Sequence, residues 1–279
     1  MINLLYCGNT KVFDGIMISA MSAAKKTSSP LSVYILTMDL TDIDERFIPI
    51  SRAQSDYIEG VVRESNDESR VYLIDSSDIF RAQMLDSVNL GSSYTPYTLL
   101  RLFADEAEEI PDKIIYLDAD TMAHGDIKEL FDIDVGGYEF AGALDHLGKF
   151  FINRYYMNAG VLLLNMKEIR NTGLFKKARE LCRTKKMSFP DQDALNKLSD
   201  RKLYIDKRFN SQRRLYDDTV IQHFSKSIRW FPFFHTINVK PWEVQKVHDK
   251  LKINAYDDVL DEYIRRRNEL DNAAKEAGQ

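Results

Sequence analysis

Several stretches of this chain are apolar along their whole length rather than at alternate positions. NLLYCG (residues 3–8), LSVYILT (31–37), KIIYL (113–117) and AGVLLLNM (159–166) are of this kind. A strand with one wet face alternates apolar and polar side chains, so a strand without a polar face must be covered on both sides. The segments between these runs supply the cover. VFDGIMISAMSAAKK (12–26) has helical spacing at Val12, Ile16, Ser19, Met21 and Ala23, with Lys25 and Lys26 favourable at its C-terminal end. RVYLID (70–75) and FAGALD (140–145) read as further strands, the acidic stretch before RVYLID as a polar helix or loop, and 174–184 as a helix. The expected class is α/β, with a mainly parallel sheet and helical crossovers. Ligands in such sheets sit outside the carboxyl ends of the strands.

A length of 279 residues gives room for a sizeable core in one large or two small domains. A net charge of −5 argues against a nucleic-acid partner, which needs a basic face. Cys7 and Cys182 are far apart and lack metal-ligand spacing, which suits buried free thiols in a reducing compartment. The start, MINLLYCGNTKVF, lacks the basic flank and continuous apolar core of a secretory signal. No apolar stretch approaches the ~20 residues that span a bilayer. The expectation is a cytoplasmic protein, with peripheral contact at the inner face of a membrane left open. From Tyr256 onwards the chain reads as a polar helix fraying at its end.

The run KIIYLDAD (113–120) ends in two aspartates one residue apart. On a regular strand such a pair points the same way, and leaving both charges unpaired in a dry site is costly. A divalent cation resolves the conflict. Hard oxygen ligands suit Mg²⁺ or Mn²⁺, which in turn hold phosphate oxygens. Taken alone, Asp118 and Asp120 serve equally well as caps of the following turn or helix. An EF-hand is excluded: Asp118, Asp120, Asp126 and Glu129 fall at ligand positions, but Met122 offers no ligand and Ala123 replaces the turn glycine.

LDADTMAHGDIKELFDID, then FAGALD, YYMNAGVLLLNMKEIR, FPDQDALN and FNSQ, in this order and spacing, resemble glycosyltransferase family 8. That family includes bacterial lipopolysaccharide galactosyltransferases and glycogenin. The similarity runs from about Asn3 to Trp242. It implies the GT-A fold: a Rossmann-like, mainly parallel mixed sheet flanked by helices, here with a short helical C-terminal extension. The corresponding division is a catalytic domain over 1–243 and an extension over 244–279. It also implies a divalent metal, usually Mn²⁺ with Mg²⁺ as the alternative. The implied reaction moves glucose or galactose from a UDP-sugar, with retention, to a glycan or glycolipid acceptor.

Carried over on that resemblance, Asp118 and Asp120 are the D-x-D metal ligands, Asp118 also lying near the donor ribose, and His223 is the third ligand. An imidazole with two carboxylates favours Mn²⁺. Without the family match, His223 reads as an ordinary partly buried histidine. Arg101 matches an arginine that reaches the donor sugar or diphosphate, although alone it reads as a residue on the outer face of a helix. Asp145, Asn158, Asp191, Gln192 and Asp193 match positions that hold the hexose and flank its anomeric carbon. Asn158 also reads as a turn residue before a strand, and Asp191 and Asp193 as cap and first turn of the helix DQDALNKL. Gln192 is placed on the beta face. A neutral amide is a poor nucleophile, so it is expected to stabilise positive charge during front-face attack by the acceptor.

The sequence departs from the family twice. Gly8 and Asn9 stand at the first strand end, where an acidic pair followed by Asn and Tyr often contacts the nucleotide. His223 is separated from Lys240-Pro241-Trp242 by FSKSIRWFPFFHTINV. Lys240 is assigned to the phosphates, with Lys226 as the alternative. Of Trp230, Phe231, Phe233 and Phe234, at least half are expected in a satellite core; the rest suit an acceptor platform or a membrane-touching patch beside Arg229. Two rivals remain. A sugar nucleotidyltransferase needs a Gly-rich phosphate loop, which YCGNTKVF is not. A non-catalytic sugar-nucleotide-binding relative does not explain the intact Asp118, Asp120 and His223.

Overall fold

A computed structural model of the chain, describing residues 1–90, 95–229 and 235–277, places the apolar runs side by side. The strands are β1 (Ile2–Cys7), β2 (Leu31–Thr37), β3 (Arg70–Asp75), β4 (Lys113–Leu117), β5 (Thr121–Ala123), β6 (Phe140–Leu144), β7 (Met157–Asn165), β8 (Lys202–Tyr204), β9 (Ile221–His223), β10 (Ser227–Arg229) and β11 (His235–Ile237). Seven of them form one sheet in the order β3-β2-β1-β4-β7-β6-β8. Strands β1 to β4 pair in parallel, as does β6 with β8. Strand β7 runs against both neighbours, β4 and β6.

The unbroken apolar runs are explained by the pleat. Ile2, Leu4 and Tyr6 of β1, with Leu31, Val33 and Ile35 of β2, enter the core under the helices Phe13–Lys26 and Arg52–Arg63. The intervening Leu5, Tyr34 and Leu36 enter a second core on the other face. There the 3₁₀ helix Pro96–Phe103 and the helix Leu174–Thr184 cover them. Helices therefore close both faces of the sheet.

Two expectations are corrected. The strand stops at Leu117, so Asp118 and Asp120 lie on the turn beyond it, not on the strand. Asn158 lies inside β7 rather than on a turn before it. The C-terminal helix Asp257–Ala277 is packed against the fold along its first turns. Tyr256, Val259, Leu260 and Tyr263 are buried in the first core, and the buried Arg266 pairs with Glu64 and Glu262. The helix Leu174–Thr184 has the predicted bounds. Trp230, Phe231, Phe233 and Phe234 lie outside the described residues, between the paired strands β10 and β11. Among the described residues no helix is long and apolar enough to cross a membrane.

Candidate active site

The turn after β4 and the ribbon β5/β9 bring together three side chains able to ligate a metal ion. The turn is tied by Thr121, whose N–H and hydroxyl both donate to the Asp118 carbonyl (3.2 and 2.8 Å). Pairing of Thr121 with His223 across the ribbon then brings the imidazole to the carboxylates. His223 Nε2 lies 3.2 Å from Asp120 Oδ1 and 3.7 Å from Asp118 Oδ2. One ligating atom from each residue lies within 4.8 Å of the others. Two carboxylates and an imidazole at this spacing fit a divalent cation such as Mn²⁺.

The supporting groups fix how each of these side chains is presented. His223 Nδ1 faces Asn210 Oδ1 at 3.2 Å, while Asn210 Nδ2 donates to Asn158 Oδ1 at 2.9 Å. Oδ1 of Asn210 only accepts, so Nδ1 of the ring carries the proton and Nε2 turns its lone pair to the carboxylates when neutral. Burial disfavours charge on His223, yet Asp120 and Asp118 outweigh it and raise the pKa. Burial likewise opposes ionisation of Asp120, but His223 and Lys240 hold its pKa well below the usual carboxylate range. Lys240 Nζ sits 2.5 Å from Asp120 Oδ2. Asp118 Oδ1 accepts from the Tyr116 hydroxyl (2.6 Å) and Arg101 Nη2 (3.0 Å), so Oδ2 is left facing His223.

Arg101 departs from the outer-face expectation. It is only 5% exposed, its guanidinium 4.1 Å over the Tyr116 ring, where it grips Asp118, Asp191 and the Ala159 carbonyl. Asp191 pairs with Arg101 Nε at 3.0 Å, and burial raises its pKa.

The opposite wall carries amides. Because β7 is reversed, its first residues, not its last, reach the edge where the parallel strands end. Asn158 Nδ2 and Gln192 Nε2 donate to Asp145 Oδ2 (2.9 and 3.3 Å), and the Leu147 and Gly148 amides donate to Oδ1 (3.0 and 2.6 Å). Gln192 Oε1 accepts from the Ala159 amide at 2.8 Å. The Asp145 amide donates to the Tyr156 carbonyl (2.8 Å) and so closes the loop between them.

Asp118, Asp120, His223, Asp145, Asn158, Gln192, Lys226 and Lys240 line one cleft of about 500 Å³. Arg101, Asp191, Asp193, Gly8 and Asn9 do not line it. Asp193 caps its helix, accepting from the Phe189 amide (3.0 Å) and the Tyr156 hydroxyl. Asn9 is buried at the end of β1, donating to the Arg46 carbonyl (3.3 Å) and accepting from the Lys11 amide (3.2 Å).

Sequence reasoning assigned no role to Gly15, Gly160, Asn210 or Gln212. A Cβ on Gly160 would lie 2.2 Å from His223 Cε1 and 2.9 Å from Asp118 Oδ2. On Gly15 it would lie 2.5 Å from the Ala119 carbonyl and 2.5 Å from the Trp242 ring. A glycine inside a buried strand or helix is a signal of close approach. Gln212, in the quoted FNSQ, also lines the cleft, accepting from the His146 amide (2.8 Å) and donating to the Leu144 carbonyl (3.0 Å).

Comparison with known proteins bears on this geometry. The lipopolysaccharide 1,3-galactosyltransferase of Salmonella typhimurium is 31% identical over 194 residues, 62% of this chain and 55% of that protein. The lipopolysaccharide 1,2-glucosyltransferase of Escherichia coli K12 is 27% identical over 172 residues, 54% of this chain and 51% of its own length. The chain thus spans about half the length of these curated relatives. The galactosyltransferase LgtC, solved with donor and acceptor sugar analogues, superposes with a TM-score of 0.68 at 20% identity, covering 94% of this chain and 96% of that one. GlyE of Streptococcus pneumoniae TIGR4 gives 0.62 at 20% identity, over 96% of this chain and 65% of that one. The fold is thus the GT-A fold of LgtC. The family model for glycosyl transferase family 8 matches residues 3–246, from the first strand past the Lys240-Pro241-Trp242 loop, and the chain belongs to that family.

Proposed function

We propose that the protein is a metal-dependent, retaining hexosyltransferase that moves glucose or galactose from a UDP-sugar to a glycan or glycolipid acceptor. The observation that carries this is the convergence of Asp118, Asp120 and His223 opposite the Asp145, Asn158 and Gln192 network in one cleft. Those three side chains would hold Mn²⁺, which when bound offsets the diphosphate charge as the nucleotide leaves. Lys240 and Lys226, both lining the cleft, are the cations that meet the phosphates. Asp145, Asn158 and Gln192 bind hexose hydroxyls, and Gly8 and Asn9 stand on the nucleotide side. Arg101 and Asp191 act one layer behind, fixing Asp118 and the start of β7.

Positive charge grows on the sugar ring as the leaving bond lengthens. Gln192 is a neutral amide whose oxygen is engaged by the Ala159 N–H, so it suits stabilising that charge rather than forming a bond. The acceptor hydroxyl then attacks from the face that the diphosphate leaves, which retains configuration. The relatives named for galactosyl and glucosyl transfer to lipopolysaccharide support the hexose and a lipid-borne acceptor. On this reading 1–243 is the catalytic unit, 244–279 its extension, and the site of action the cytoplasmic side of a membrane.

The test is release of UDP from UDP-glucose and UDP-galactose with Mn²⁺, with and without acceptors. Acceptor-stimulated release supports transfer. Formation of UTP on adding pyrophosphate would instead identify a nucleotidyltransferase, and saturable donor binding without turnover a non-catalytic relative.

A further inference from the structure

The outer end of the cleft carries exposed hydrophobic side chains that, among the described residues, no other element buries. Phe150, Phe151, Ile152 and Tyr155 are 72, 70, 52 and 53% exposed, on the one-turn helix Gly148–Phe151 and the turn after it. Single exposed apolar residues are ordinary, but four within six positions mark an interaction surface. The patch continues to the sheet edge, where the Tyr204 ring lies 6.2 Å from that of Tyr155. Phe151 and Ile152 line the cleft, so patch and cleft are continuous.

Between 146 and 156 the loop carries two formally charged side chains, Lys149 and Arg154, both basic. Lys149 Nζ lies 5.1 Å over the Phe150 ring and the Arg154 guanidinium 4.6 Å over that of Tyr155. Asp145 is the one acidic residue between 140 and 156, and both of its oxygens are engaged within the fold. A cationic, aromatic rim on a chain of net charge −5 is a local feature, not a reflection of composition.

We propose that this rim seats the protein on an anionic lipid bilayer, with Phe150 and Tyr155 in the interfacial layer and Lys149 and Arg154 at the lipid phosphates. Aromatic rings flanked by basic side chains have the chemistry of peripheral membrane attachment. A two-fold contact with a second copy would bring these cations towards their own symmetry mates. One face of each ring is already covered by a cation, which leaves less ring face for stacking on a glycan. Resting on the glycosyltransferase reading, the proposal explains how a lipid-borne acceptor meets the cleft: the bilayer lies at its mouth.

Co-sedimentation with vesicles of phosphatidylcholine, with and without phosphatidylglycerol, tests it. Binding is expected to the anionic vesicles and to weaken with salt. Phe150→Ser with Tyr155→Ser, neither lining the cleft, should weaken it at least roughly tenfold. Lys149→Gln with Arg154→Gln should weaken it roughly thirty-fold, about 1 kcal/mol per cation at the surface. Thermal melts confirm that the variants fold, and UDP release without acceptor should be unchanged in both. No vesicle binding by the unaltered protein overturns the proposal, as does binding that both double variants retain. A dimer that the aromatic substitutions dissociate, or a raised KM for a soluble glycan acceptor with vesicle binding intact, reassigns the rim and also overturns it. Absence of any sugar-nucleotide turnover would sink the transferase reading while leaving vesicle binding to be judged alone.

Discussion

The backbone of Gly160 passes directly beneath the His223 ring, where a single added methyl group would fall 2.2 Å from Cε1. Neither the ring nor Asp118 can retreat, because Asn210, Tyr116 and Arg101 hold them in place. Gly160→Ala should therefore abolish measurable Mn²⁺ binding by calorimetry. Asn210→Ala removes the group that orients His223, along with a donor to Asn158, and loss of such a partner costs about 10- to 100-fold in metal affinity. His223→Ala should cost at least as much as Asn210→Ala, and unchanged affinity in either would refute the assignment. At this scale the aspartate pair was conspicuous, since charged residues at the end of an apolar run invite explanation, whereas His223 was singled out only by the family resemblance. Their supports were less conspicuous: Tyr116 reads as one more apolar strand residue, and Arg101 looks like a surface cation until Asp118 and Asp191 are seen around it.

Elements owe their positions to another buried arginine. Arg179, 3% exposed in the helix Leu174–Thr184, lies 2.5 Å from Asp105 and also engages Glu106 and the Leu102 carbonyl. It thereby pins that helix to the 3₁₀ helix Pro96–Phe103, which delivers Arg101. Arg179→Met leaves the mostly enclosed Asp105 without its counter-charge, and should lower stability by about 3 kcal/mol, a Tm fall on the order of 10 °C. The sign of the pH dependence follows from Asp105, whose pKa burial already raises above the ordinary carboxylate value despite Arg179. A carboxyl that binds its proton more tightly when folded loses stability as pH rises through that range. Removing Arg179 raises this pKa further, so the variant's deficit should shrink at mildly acidic pH and grow at mildly alkaline pH in thermal melts. Strands β1, β2, β4 and β7 were legible from their two apolar faces. The reversed direction of β7 was not, because apolar content is the same whichever way a buried strand runs.

The whole molecule closes on itself through its C-terminal helix. Residues 256–277 look polar in sequence, and that composition conceals Tyr256, Val259, Leu260 and Tyr263, which complete the core beneath the helix Phe13–Lys26. Ending the chain at residue 255 removes four side chains that are at most 6% exposed, and burial is worth roughly 1.5–3 kcal/mol for each large one. Such a protein should be insoluble or melt without a cooperative transition, whereas ending it at 272 should leave Tm within about 2 °C, as surface changes usually do. The loop from Asp145 to Tyr156 has the opposite character, for its two ends are clasped to each other by the Asp145–Tyr156 hydrogen bond. What lies between them is a cassette. Its outward side chains Phe150 and Tyr155 can be exchanged without touching the cleft, whereas Leu147 and Gly148 hold Asp145 and Phe151 and Ile152 line the cleft, so only part of the cargo is free to change.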